Sequence, residues 1–269
     1  MVVLAQLESP LHHLSPPILL GSEAVGLPLA FVPPTQARSN DRVPEDPFIW
    51  TVAHELRQPL SVMSTAVAMV EHDSPSVATA QALAVMSRQL RHMSRMVDDL
   101  VDAARLSTGK VSLIPQRLDI REVMTDAAAD IAAEAAKRGQ LLNVKYGAAP
   151  LWVNGDRQRL YQVFSNLLRN AIKFTDHGGR ITFTADSHIS RIAVRVRDNG
   201  RGIDWQALSR IFDRFTQVQP SRLGGLGIGL SVARDIVSLH RGRIEARSDG
   251  LGKGSEFEVT LPASSAGGS

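Results

Sequence analysis

Cysteine is absent from the 269 residues, which excludes a disulfide framework, a thiolate metal centre and a cysteine nucleophile. Aromatic residues make up 5%, and no basic–aromatic pattern accompanies the small excess of 30 Lys+Arg over 27 Asp+Glu. No nucleic-acid partner is therefore expected. No run reaches the roughly 20 apolar residues that a spanning helix needs. The most apolar N-terminal piece, residues 18–32, carries Glu23 and Pro28 and has no basic residues before it, unlike a signal peptide. The expectation is a cytoplasmic chain without a transmembrane segment. What is present is an ordinary globular composition, 43% apolar and 21% charged, enough for one or two domains with a real core.

Residues 1–46 hold seven of the 14 prolines and no sustained periodicity, and read as a poorly ordered leader or the remnant of an upstream domain. A helical hairpin is expected over 47–109. Its first helix starts at Pro47 and carries a seam at Ile49, Val52, Leu56, Pro59, Met63, Ala66 and Val70, in steps of three and four. After a turn at His72–Ser76, a second helix repeats the pattern at Leu83, Met86, Leu90, Met93, Val97, Leu100 and Ala104. One hairpin cannot bury both stripes, so a homodimer forming a four-helix bundle is the economical solution. The polar face of the second helix, with Arg88, Arg91, Arg95, Arg105, Asp98, Asp99 and Asp102, reads as solvated. Over 115–263 the pattern changes to helices (about 119–138, 156–174 and 227–240) mixed with alternating strands (about 142–146, 151–153, 180–185, 191–197, 243–247 and 255–261). This predicts an α/β two-layer sandwich with antiparallel strands. Residues 264–269 read as a frayed tail.

Two features carry chemistry. His54 falls diametrically opposite the seam of the first helix, so its imidazole points at water. Far downstream, Gln162, Asn166, Asn170 and Lys173 line the polar face of one helix, which alone is compatible with a plain solvated face. A strand then ends in Asp198-Asn199-Gly200-Arg201-Gly202, Phe212-Asp213-Arg214-Phe215 follows, and Gly224-Gly225-Leu226-Gly227-Ile228-Gly229-Leu230 opens a helix. Glycines at a helix N-terminus suit phosphate, yet the spacing fits neither a dinucleotide-binding fingerprint nor a P-loop.

In order and spacing, the run around His54, the segment Asn166–Phe174, Asp198–Gly202, Phe212–Phe215 and Gly224–Leu230 resemble the H, N, G1, F and G2 boxes of two-component sensor histidine kinases. The resemblance covers about residues 47–263. It implies a dimeric phosphoacceptor hairpin and an ATP-binding sandwich of the Bergerat type, in agreement with the patterning.

From that resemblance His54 is expected to take the γ-phosphoryl group of ATP, with Glu55 as the acidic neighbour acting as base; adjacent helical positions do not by themselves establish the pair. Asn170 would ligate Mg²⁺, with Asn166 supporting metal or phosphate, and Lys173 would neutralise phosphate. Asp198 would accept from the adenine amino group. Gly200 and Gly202 would let backbone pass close to the base, and Gly225, Gly227 and Gly229 would serve the lid and the phosphates. Arg214 reads either as a phosphate contact or as a structural salt bridge. A response-regulator receiver domain is the implied partner. Gln58 stands where relatives that dephosphorylate their partner often carry Thr or Asn, which leaves phosphatase activity open. Pro59 should bend the first helix one turn beyond His54. Two other readings are a nucleotide-binding scaffold that has lost catalysis and an ATPase of the wider Bergerat superfamily. Intact His54, Glu55, Asn170 and Asp198 argue against the first, and the hairpin argues against the second.

Overall fold

The computed structural model describes residues 47–72, 77–108, 111–217 and 226–264. The leader expected over 1–46 and the tail beyond Ser264 lie outside the described residues, as does most of the turn between the first two helices. Helices α1 (Pro47–His72) and α2 (Val77–Ser107) form the hairpin. Proline at the first helical position costs no hydrogen bond, and α1 runs on through Pro59. Val52, Leu56, Pro59, Met63, Ala66 and Val70 turn inward or lie half-buried, whereas Ile49, first in the expected seam, is exposed at 63%. On α2 the stripe divides. Met86, Met93 and Leu100 are half-buried, whereas Leu83, Leu90 and Val97 stay exposed at 52%, 58% and 52%.

Hairpin and sandwich fall in one unit, Glu45–Ser269. The sandwich runs β1 (Gln116–Asp119), α3 (Ile120–Lys137), β2 (Leu141–Tyr146), β3 (Trp152–Gly155), α4 (Arg157–Phe174), β4 (Arg180–His188), β5 (Arg191–Asp198), α5 (Trp205–Leu208), α6 (Gly229–Leu239), β6 (Arg243–Arg247) and β7 (Ser255–Pro262). The main sheet has the order β2-β4-β5-β7-β6. It is mixed rather than wholly antiparallel, because β2 pairs β4 in parallel. Antiparallel β1 and β3 form a separate two-stranded sheet, and β1 and α5 have too few residues to show a period.

Helix ends are set by local chemistry. The Asp119 and Asp156 side chains cap α3 and α4, each accepting from a backbone N–H inside the first turn at 3.1 Å. Alternation along β4 sends Ile181, Phe183 and Ala185 against Leu160, Phe164 and Leu167 of α4 and Val232 and Ile236 of α6, all buried in one core. Phe164 meets Phe183 edge to face, ring centroids 5.7 Å apart. Each such side chain contributes on the order of 1.5–3 kcal/mol by burial. The buried His240 ties the two helices together: its Nε2 accepts from the Asp156 N–H at 2.9 Å, and its Nδ1 lies 2.8 Å from the Ile236 carbonyl oxygen. The packed α4 and α6 thus present the polar side of α4 to a groove beneath the N-terminus of α6.

Candidate active site

That groove is a cavity of about 570 Å³, within the usual range for a small-molecule site. Asn166, Asn170, Lys173, Asp198, Gly202, Gly227 and Gly229 all line it, whereas Gln162 and Gly200 do not. Asn166 is buried, and its Nδ2 donates to the Gly229 carbonyl oxygen at 3.1 Å. Asn170, one turn on, is half-buried. Burial pushes the Lys173 ammonium below its usual range while the Glu55 charge opposes the shift.

Asp198 ends β5 at the floor of the cavity and is 6% exposed. Its Oδ1 accepts from the Gly200 N–H at 2.8 Å and its Oδ2 from the Ser255 hydroxyl at 2.6 Å. Each carboxylate oxygen is fixed and keeps acceptor capacity for a ligand. The adjoining glycines are required by protein backbone in this structure. A Cβ on Gly200 would sit 2.2 Å from the Phe174 carbonyl oxygen, and Gly202, at φ +67°, would clash with the Gly250 carbonyl oxygen at 2.1 Å.

Arg214 donates from Nη2 to Asp235 of α6 at 2.9 Å. Phe212 packs edge-on against Phe257 at 6.3 Å, an anchoring contact. Gly225 lies outside the described residues. Gly227 and Gly229 precede and open α6.

On the hairpin, the His54 side chain is 47% exposed, as its helical phase requires. The adjacent Glu55 is buried at 8%. Its Oε1 lies 4.0 Å from His54 Nδ1, beyond hydrogen-bond reach. The Trp50 indole stacks on the imidazole at 5.4 Å with the planes 19° apart. His54 does not line the cavity, but Gln58, one turn further along α1, does.

On the α2 face expected to be solvated, Arg88 and Arg95 are exposed at the edge of the same cavity, while Asp99 is half-buried in its wall next to His92. Asp102 accepts from Arg159 Nη1 at 2.9 Å and from Gln162 Nε2 at 2.7 Å, which fastens α2 to α4. Burial pushes the Asp99 carboxyl up to about 6 against the pull of Arg169. Burial and then Arg95 lower His92, favouring neutral imidazole. The spacing 88, 92, 95, 99 was the available signal for this face. Ser255 and Trp50 gave no motif signal of their own.

A nucleotide-sized cavity under a glycine-flanked helix, beside a hairpin displaying a histidine, defines the class: a phosphotransfer hairpin coupled to a nucleotide-binding sandwich. Two family models match the chain, the His Kinase A (phospho-acceptor) domain over residues 47–109 and the histidine kinase-, DNA gyrase B-, and HSP90-like ATPase over 155–265. The chain belongs to the sensor histidine kinases. It is 30% identical over 245 residues to alginate biosynthesis sensor protein KinB of Pseudomonas aeruginosa, a match spanning 90% of this chain and 41% of KinB. It is 35% identical over 224 residues to sensor histidine kinase TrcS of Mycobacterium tuberculosis, spanning 80% of this chain and 43% of TrcS. Full-length ShkA, solved in complex with AMPPNP, superposes with a TM-score of 0.62 at 26% identity, over 82% of this chain and 46% of ShkA. The chain thus spans less than half the length of these relatives. Among the described residues, no helix is long and apolar enough to cross a membrane.

Proposed function

We propose that this chain is an ATP-dependent protein-histidine kinase that autophosphorylates His54 and passes the phosphoryl group to an aspartate on a response-regulator receiver domain. The observation that carries this reading is the pairing of an exposed His54 with a cavity that gathers Asn166, Asn170, Lys173 and Asp198. Asp198 would accept from the adenine amino group with oxygens already oriented by Gly200 and Ser255. Lys173 would meet the triphosphate, and ShkA's complex with AMPPNP, an ATP analogue, supports the cavity as the nucleotide site.

The half-buried Asn170 amide in the cavity wall fits Mg²⁺ as one ligand of several. Among the described residues no group of three or more His, Cys, Asp or Glu could hold a metal, so triphosphate oxygens and water would complete the shell. Bound there, Mg²⁺ would neutralise the charge on the transferring phosphoryl group.

Glu55 lies on the Nδ1 side of His54, so Nε2 serves as nucleophile. The Nε2–P bond forms as the bond from the γ-phosphorus to its bridging oxygen breaks; ADP leaves, and the Nδ1 proton passes to Glu55 or solvent. His54 lies outside the cavity wall and Gln58 within it, so transfer needs the sandwich to move relative to α1. The exposed heptad Leu83, Leu90 and Val97 supports a second copy of the chain completing a four-helix bundle. Incubation with γ-labelled ATP and Mg²⁺ tests the reading. Acid-labile, base-stable label is expected on wild type and none on His54→Gln; label persisting in that variant defeats the assignment.

A further inference from the structure

We infer that Trp50 is a positioning residue for the phosphoacceptor: its indole sets the plane of the His54 ring and stabilises the positive charge that the ring acquires during transfer. The inference rests on the phosphoacceptor role of His54. Trp50 and His54 are four residues apart on α1 and therefore neighbours on one helical face. Their rings lie nearly parallel, 19° apart, with centroids at 5.4 Å. The neighbouring Glu55 stands 4.0 Å from Nδ1, too far to orient the imidazole by hydrogen bonding. Without the stack, the half-exposed His54 would be free to rotate about its terminal torsion, which is broad for histidine.

A stacked partner suits this nucleophile for a geometric reason. The Nε2 lone pair lies in the plane of the imidazole, whereas the indole covers a π-face. Trp50 therefore fixes the ring without standing in the path of the phosphorus. The electronic consequence is separate. As the Nε2–P bond forms, the imidazole gains positive charge until the Nδ1 proton departs. An electron-rich indole face favours that charged ring over the neutral one, so the contact strengthens toward the transition state. The bulk of Trp50 is otherwise unexplained: the residue is 59% exposed and contributes little to the hairpin seam.

The test is autophosphorylation by the full chain, wild type against Trp50→Phe, Trp50→Leu and His54→Gln, at limiting and saturating ATP. Trp50→Leu keeps an apolar, helix-favouring side chain but has no ring. It is expected to lower kcat about three- to tenfold, the scale of an exposed cation–aromatic contact plus lost orientation, with KM for ATP and the thermal midpoint unchanged. Trp50→Phe is expected to restore most of the rate. A Trp50→Leu chain with wild-type kcat, or a Trp50→Phe chain that falls as far, overturns the inference. So does a loss confined to transfer onto the receiver, which would assign Trp50 to partner docking. Label persisting in His54→Gln would instead sink the phosphoacceptor assignment itself. As a second measurement, Trp50 emission is isolated by Trp152→Phe and Trp205→Phe. It should change on autophosphorylation, and unchanged emission contradicts the stack.

Discussion

Under the proposed function, Asp198 is the carboxylate that would recognise adenine. It is buried, yet both oxygens have donors, the Gly200 N–H and the Ser255 hydroxyl, so its ionised form has partners before any ligand arrives. Asp198→Asn is expected to weaken ATP binding about ten- to hundredfold, the value of a hydrogen bond to a charged group, with the fold retained; calorimetric titration measures it. Ser255→Ala leaves Oδ2 without its protein donor and should cost a smaller, severalfold loss of affinity. Asp198 was legible because it sits in a motif with fixed neighbours. Ser255 was not. It meets Asp198 through the register of β5 against β7, where the two are direct partners 57 residues apart in sequence, and a long-range register leaves no mark in a local pattern. Glu55 lies between these cases: the motif named it, but its burial beside Lys173 and His92 depends on what packs against α1.

Between elements, the contact of α2 with α4 fastens the hairpin to the sandwich. Asp102 holds both Arg159 and Gln162 across it, and the ion pair is largely shielded, with side chains 22% and 16% exposed. Asp102→Ala should release the sandwich and raise the autophosphorylation rate severalfold at unchanged KM for ATP; a fall in rate would mean that the contact belongs to the productive arrangement. Asp99 adds a pH dependence to the same contact. Near pH 3 its carboxyl is protonated, folded or not. Between about pH 4 and about pH 6 the folded chain keeps a proton that the unfolded chain releases, so this group's contribution to stability declines as pH rises through that window and is level above it. Asp99→Asn should gain up to about 3 kcal/mol over wild type at pH 7, shrinking toward pH 4, as urea unfolding at several pH values would show. The sequence period located α2 and its apolar stripe within the hairpin. It left the polar face looking solvated because the pattern of one helix carries no information about a second element docking on it. The parallel pairing of β2 with β4 escaped for a similar reason: alternation reports burial of a strand, not its direction.

For the whole molecule, the exposed Leu83, Leu90 and Val97 are the feature a single chain leaves unfinished. Their heptad spacing on α2 matches the seam of a bundle. Replacing all three with Lys should convert a dimer into a monomer by sedimentation equilibrium while leaving nucleotide binding intact. A wild type that sediments as a monomer would contradict the bundle. Beyond assembly, the proposed function requires the cavity lined from α4, α6 and β5 to deliver a phosphoryl group to the exposed imidazole of α1. The most direct measurement is peptide mass spectrometry, at alkaline pH, of the wild-type chain after incubation with ATP and Mg²⁺. A phosphoryl group is expected on the peptide bearing His54. Phosphate found instead on a hydroxyl such as Thr51 or Ser64, or on another histidine such as His92, would contradict it.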